Sequence, residues 1–197
     1  MKTVFDLKHD RLAALPQCAE IARALEAFSP IDSRASFNRY CRAACQLWRE
    51  QFPDGLDEAT PHFTELLSHI AQGGDDVIRT GWGGVVIRRH EHPHVEKYLV
   101  VRREGYLALE THERKDERLA VREGAGIILW RQPNEKALTV EALRPGAEFH
   151  LKPEMEHCLI GTENLLVFER SIDPKGMDLD LIFIYEPAEE EVTPNEE

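Results

Sequence analysis

Near Gly74 the apolar period of the chain changes, and that change limits the folds open to it. Up to that point apolar residues recur at helical spacing. Ile21, Leu25 and Phe28 fall on one face, then Phe37, Tyr40, Cys41, Ala44 and Trp48, then Phe63, Leu66, Leu67 and Ile70, each set close to an i, i+3, i+4, i+7 pattern. The stretches "FSPIDS" and "FPDG" separate the three sets and "QGGDD" ends the last, while Thr60 and Pro61 read as an N-cap and first helical residue. Three amphipathic helices are expected. They carry no clustered polar chemistry, so they read as a layer packed on the outside of the remainder, or a dimerisation element, contributing no ligand. His9, His62 and His69 stand alone there as surface or capping residues.

From Asp76 onward the period is two. "VIRTGWGGVVIRR", "EKYLVV", "YLALETH", "ERLAVREG", "AGIILW", "ALTVEAL", "EFHLK", "HCLIG", "LLVFER" and "DLIFIY" are short runs punctuated by glycine, proline and charge. Strands at this spacing, with no helical segment left for parallel crossovers, predict an antiparallel sandwich or barrel. The "GWGG" stretch, Gly81 to Gly84, reads as a kink or bulge within a strand, not a phosphate-cradling loop. The expected organisation is a helical segment over 1–75, a β domain over 76–187, and an acidic, disordered tail over 188–197 whose composition cannot bury enough apolar surface to order it.

Acidic residues outnumber basic ones 36 to 24, which disfavours a nucleic-acid partner. No long apolar run predicts a membrane span, and the N-terminus lacks the apolar core of a signal peptide. The cytoplasm is the expected compartment, in which Cys18, Cys41, Cys45 and Cys158, with no CxxC pair among them, are buried thiols. The expected partners are a small-molecule substrate and a second copy of the chain in a homodimer.

The stretch "RRHEHPHVEKYLVV" places His90, His92 and His94 at alternate positions with Glu96 beyond. Alternate residues of a strand share a face, so these side chains would converge as metal ligands. A further histidine, His157, follows the turn at Pro153 and precedes an apolar strand.

Together the two stretches resemble the two motifs of the cupin superfamily. In its first motif a glycine is followed after five residues by His-x-His, then after three or four by Glu; Gly84, His90, His92 and Glu96 reproduce that spacing. The closing glycine, normally six residues on, is here Gly105, after eight. In the second motif, Gly-x5-Pro-x-Gly-x2-His, Gly146 and His157 match, with Lys152 in place of the first proline and Glu154 in place of the glycine. Glutamate tolerates a positive φ poorly, so a differently built turn is expected there. The resemblance implies an antiparallel jelly-roll β-barrel holding one divalent metal through His90, His92, Glu96 and His157. Such ligands suit Fe(II), Mn(II), Ni(II), Zn(II) or Cu(II). His94 would turn outward beyond Pro93, Tyr98 and Val100 would line the cavity in the phase of Glu96, and Glu148 and His150 would flank the substrate. Trp130 and His112 read as wall residues, and Cys158 as packed outside the cavity.

Three functions fit such a site. A sugar or sugar-phosphate isomerase or epimerase is slightly favoured by a likeness of "LLVFERSIDPKGMDLDLIFIY" to the terminal strands of carbohydrate-acting cupins. The alternatives are a non-haem Fe(II) dioxygenase and a non-catalytic binding or sensing protein.

Overall fold

The computed structural model describes residues 4–53 and 59–188. The expected tail beyond Ala188 and the second half of the "FPDG" break lie outside the described residues. In chain order come β1 (Asp6–Lys8), α1 (Asp10–Ala13), α2 (Ala19–Leu25), α3 (Arg34–Gln51) and α4 (Pro61–Gln72). Eleven strands follow: β2 (Val77–Thr80), β3 (Gly83–Glu91), β4 (His94–Val101), β5 (Leu109–His112), β6 (Asp116–Glu123), β7 (Gly126–Arg131), β8 (Ala137–Leu143), β9 (Glu148–Leu151), β10 (Glu156–Gly161), β11 (Leu165–Ile172) and β12 (Leu181–Tyr185).

The strands form two six-stranded sheets, ordered β1-β8-β7-β10-β5-β12 and β2-β3-β4-β11-β6-β9. From β4 to β7 and again from β8 to β12 the chain crosses between the sheets at each step, and both sheets are antiparallel except for the parallel pair β1·β8. This is the jelly-roll arrangement of cupins, built as two facing sheets and not as a closed barrel. The "GWGG" stretch is a hairpin, not a bulge: Gly81 and Trp82 turn the chain between the paired residues Thr80 and Gly83.

Each sheet is buried on both faces over part of its area. Between them lies an apolar interior that includes Leu99, Leu119, Ile128, Leu159 and Val167. On the outer face of the first sheet, α2 and α3 bury Ile21, Leu25, Phe37, Tyr40 and Trp48 against residues such as Ile127, Leu129 and Ile160. On the outer face of the second, α4 packs Phe63, Leu66 and Ile70 against Val86, Val100 and Leu166. Thr60 caps α4 as its sequence suggests, its Oγ1 accepting from the Phe63 N–H at 3.1 Å. Strands covered on both sides read as almost continuous apolar runs. Cys158 and Ile160 therefore face the helices while His157 and Leu159 face the interior.

His62 and His69 are exposed partners of Glu123 and Asp76. His9 differs from expectation: it is buried, with a ring nitrogen 3.0 Å from the Tyr40 hydroxyl.

The turn before β10 also departs from expectation. Glu154 adopts φ 66°, and its N–H donates to the His112 carbonyl at 2.7 Å, so glutamate occupies the left-handed position that a glycine would take. A left-handed backbone costs a residue with a Cβ roughly 1–2 kcal/mol. Glu154 is exposed, so Glu154→Gly should lose no packing and should raise the stability by about 1 kcal/mol, read as a higher denaturant midpoint at unchanged slope. A lower midpoint would show that the glutamate side chain contributes more than the backbone strain costs.

Candidate metal centre

The structure brings His157 into a cluster of titratable side chains, but not with the ligands expected from the first histidine stretch. β3 ends at Glu91, residues 92 and 93 form the hairpin turn, and β4 begins at His94. His92 therefore sits in a turn, where strand alternation does not apply, and His90, His92 and His94 are all exposed. Glu96 faces outward, its Oε1 3.3 Å from Nε of Arg170. Tyr98 and Val100 share its phase and pack under α4, not in the cavity; Lys97 and Leu99 are the inward residues. Glu148 and His150 are likewise exposed on β9, with His150 Nε2 2.9 Å from Asp116. Trp130 is a partly buried wall residue whose Nε1 donates to Glu141. Cys158 packs on the helix side of β10, as expected.

The cluster consists of Glu110 and His112 on β5 and His157 on β10, one ligand atom from each lying within 4.8 Å of the others. Glu117, on β6, adjoins it, with Oε2 3.4 Å from His157 Nε2 and 3.9 Å from His112 Nε2. His157 pairs with Glu110 in the β10·β5 register. Glu110, Glu117 and His157 line a cavity of about 380 Å³ between the sheets, whose wall is mostly apolar and includes Val85, Leu99, Leu107, Leu119 and Leu159.

Both imidazoles are oriented from behind. His112 Nδ1 lies 2.9 Å from Asp180 Oδ1, and the other Asp180 oxygen accepts from the Arg114 and Lys115 backbone N–H groups at 2.7 and 3.1 Å. A proton on His112 Nδ1 donated to Asp180 leaves the Nε2 lone pair directed at the cluster, the carboxylate–histidine arrangement that steers a metal ligand. His157 Nδ1 faces the Met155 carbonyl at 3.4 Å, so its Nε2 is the inward atom.

Burial and charge divide the two glutamates. Burial, followed by the Glu117 charge, pushes Glu110 up to about 8. Burial acts on Glu117 in the same direction, but the Lys115 ammonium, donating to Oε1 at 2.5 Å, and the two histidines override it and hold Glu117 at about 2. Burial depresses His157, keeping its imidazole neutral near pH 7. One neutral imidazole, a second oriented imidazole and a carboxyl able to release its proton to a cation make a donor set that fits a divalent first-row metal.

The sequence holds a signal for this site that the histidine stretch obscured. From Gly105, four residues lead to Glu110, then His112, four more to Glu117, and six to Gly124. That is close to the first-motif pattern, one residue shorter after the opening glycine, with glutamate in place of the first histidine and with the closing glycine at its usual distance. Gly124 has φ 74° and a Cβ there would lie 1.8 Å from the Asn164 carbonyl oxygen, so no other residue fits.

No family's sequence profile matches the chain, and no curated protein matches it. Several solved structures are similar to part of it. The capsular polysaccharide assembling protein CapF from Staphylococcus aureus shares 12% identity over 55% of this chain and 34% of its own, with a TM-score of 0.49. The oxalate decarboxylase of Lactobacillus farciminis, in complex with formate, shares 15% over 54% and 32%, at 0.47. The L-ribose isomerase of Cellulomonas parahominis, with L-psicose, shares 14% over 51% and 68%, at 0.44. The matched region spans about a third of the length of the first two.

His112→Ala and His157→Ala should each lower metal content by tenfold or more under limiting metal, while His90→Ala and His92→Ala should leave it unchanged. Metal stoichiometry by mass spectrometry decides this, and retention by the His157 variant would reassign the site. The Glu110 shift gives a second expectation. A carboxyl raised from 4.5 to about 8 favours the folded state fully below pH 4.5 and loses that advantage as pH rises towards 8, by at most about 1.4 kcal/mol per pH unit. Below pH 6.5 the depressed His157 contributes in the opposite direction, so metal-free protein should lose stability between pH 6.5 and 8, and Glu110→Gln should flatten that slope. An unaltered slope in the variant would show that another group causes it.

Proposed function

We propose that the protein is a mononuclear metal-dependent enzyme acting on a small molecule with an oxygen-bearing polar head and an apolar body, with an oxidative reaction of the non-haem Fe(II) dioxygenase type. The observation that carries this reading is the convergence of two imidazoles and one carboxyl at the polar end of a mostly apolar cavity. Two histidines and one carboxylate with open positions form the donor set of non-haem Fe(II) oxygenases. Glu110, His112 and His157 would hold the metal, which when bound supplies open positions for substrate oxygen and dioxygen. The remaining work falls to the chain. Leu99, Leu107, Leu119 and Leu159 exclude water and orient the apolar body of the substrate, and Asp180 holds His112 in register.

The isomerase reading, which the sequence slightly favours, keeps one specific support. Glu110 and Glu117 differ widely in proton affinity and both adjoin His157, the pattern of an acid and a base acting on one substrate. Against it stands the wall: a sugar needs hydrogen-bonding partners along its length, and beyond the charged end the lining is mainly leucine, valine, isoleucine and phenylalanine.

Protein purified without added metal should contain iron in near-stoichiometric amount and consume oxygen with one of a panel of catechols, aromatic carboxylic acids and amino acids, and His112→Ala should abolish the uptake. Oxygen-independent aldose–ketose interconversion would replace this reading with the isomerase. Binding without turnover would leave the non-catalytic one.

A further inference from the structure

Beside the metal cluster, two lysines reach into the same cavity. Lys97 on β4 and Lys115, just before β6, are buried to within a few per cent. Three carboxylates face them. Glu117 and Glu169 lie on strands β6 and β11, with Lys115 Nζ 2.5 Å from Glu117 Oε1 and 2.9 Å from Glu169 Oε1, and Lys97 Nζ 3.4 Å from Glu169 Oε2. The third, Asp178, comes from the loop between β11 and β12. It spans both lysines, one oxygen accepting from Lys97 and the other from Lys115, each at 2.6 Å.

Asp178 differs from the other two carboxylates in ways that bear on its role. Its side chain is 26% exposed where those of Glu117 and Glu169 are 5% and 2% exposed, so it stands between the lysines and the open side of the cavity. Around it the loop is shaped by local turns, the Asp178 N–H donating to the Asp173 carboxylate at 2.7 Å, and neighbouring Leu179 is 80% exposed. One carboxylate bridging two buried ammonium groups is the placement that a substrate carboxylate would take. Exchanging one such anion for another leaves the charge of the cluster unchanged, so the exchange avoids exposing an unpaired buried lysine.

We propose that Lys97 and Lys115 form the docking site for a small oxyanion of the substrate, a carboxylate in the first instance, and that Asp178 fills this site as an intramolecular counter-ion which the substrate displaces. The proposal rests on reading the cavity as the substrate site, and it makes the polar head of the substrate anionic. It does not require a metal.

The test uses the full chain after chelator treatment, with thermal unfolding followed in acetate or formate against sodium chloride at matched ionic strength. Asp178→Ala should be destabilised in chloride and regain several degrees of Tm in acetate or formate, because an anion bound only to the folded state stabilises it by mass action. The wild-type protein should shift by much less, its site being filled. Asp178→Asn, which keeps the shape and removes the charge, should respond like the alanine variant and serves if that variant does not fold. Adding Lys97→Met to either should abolish the response. Equal responses in all variants would place the anion elsewhere, and an Asp178 variant insensitive to both anions would make Asp178 a structural counter-ion only; either outcome overturns the site. Neither bears on the metal, whereas an iron-free protein without oxygen uptake would sink the dioxygenase reading and leave this site standing.

Discussion

An ionised side chain taken out of water costs several kcal/mol unless an opposite charge meets it, and between these two sheets Lys97 and Lys115 meet Glu117, Glu169 and Asp178. Much of the architecture follows from keeping those charges together. Lys97 and Glu169 are register partners across β4 and β11, and Glu117 is paired with Ser171 on the neighbouring strand. A one-residue slip of β4 would turn Lys97 to the outer face, beneath the apolar side of α4, and leave Glu169 and Asp178 with Lys115 alone. Apolar alternation is a weak guard against such a slip at the C-terminal end of the strand, where both faces are apolar: Leu99 and Val101 lie inward, Val100 outward. The charges supply the register that the hydrophobic pattern leaves open.

The helices make this arrangement affordable. With α2 and α3 burying aromatic side chains on one outer face and α4 on the other, the interior between the sheets need not supply all the apolar burial. It divides into an apolar end and a charged end, and the cavity lies across the division.

The same double burial explains how far the sequence could be read. The three helical faces, the cap at Thr60 and the strand-rich remainder follow from apolar period and punctuation, which survive folding almost unchanged. β1 was not legible: Asp6, Leu7 and Lys8 form three residues whose pairing with β8 across more than a hundred residues leaves no local trace. The phase of β4 was illegible for the reason given above, which is why Glu96, Tyr98 and Val100 read as inward when they face out. His157 was legible because its turn and strand lie within one short stretch. Its partners were not, because the histidines at the β3–β4 turn reproduce a ligand spacing on residues that fold into a solvent-exposed hairpin, while the stretch that does form the cluster begins with a glutamate. Gly84 and Gly105 bracket the histidine stretch at the wrong interval, whereas Gly105 and Gly124 bracket Glu110, His112 and Glu117 at intervals close to the pattern. The backbone at Gly124 admits no side chain, so that spacing carries a physical constraint that the histidines at the turn do not.

One loop serves both ends of the charged region, and two of its aspartates, Asp178 and Asp180, are held differently. Asp180 is fixed by the His112 ring at the end of β5 and by two backbone N–H groups, of Arg114 and Lys115, in the segment that joins β5 to β6. Asp178, two residues earlier, is held across the cavity by the Nζ atoms of two lysines and locally by Asp173. Backbone donors in the three-residue connection between β5 and β6 are held by the strands on either side, whereas lysine ammonium groups end long chains and can follow a new partner. Asp180 can therefore go on directing His112 towards the cluster while the lysines exchange the carboxylate they hold. The geometry of the ligand end is thereby separated from the occupancy of the anion end, although both depend on residues within a single turn-rich connection.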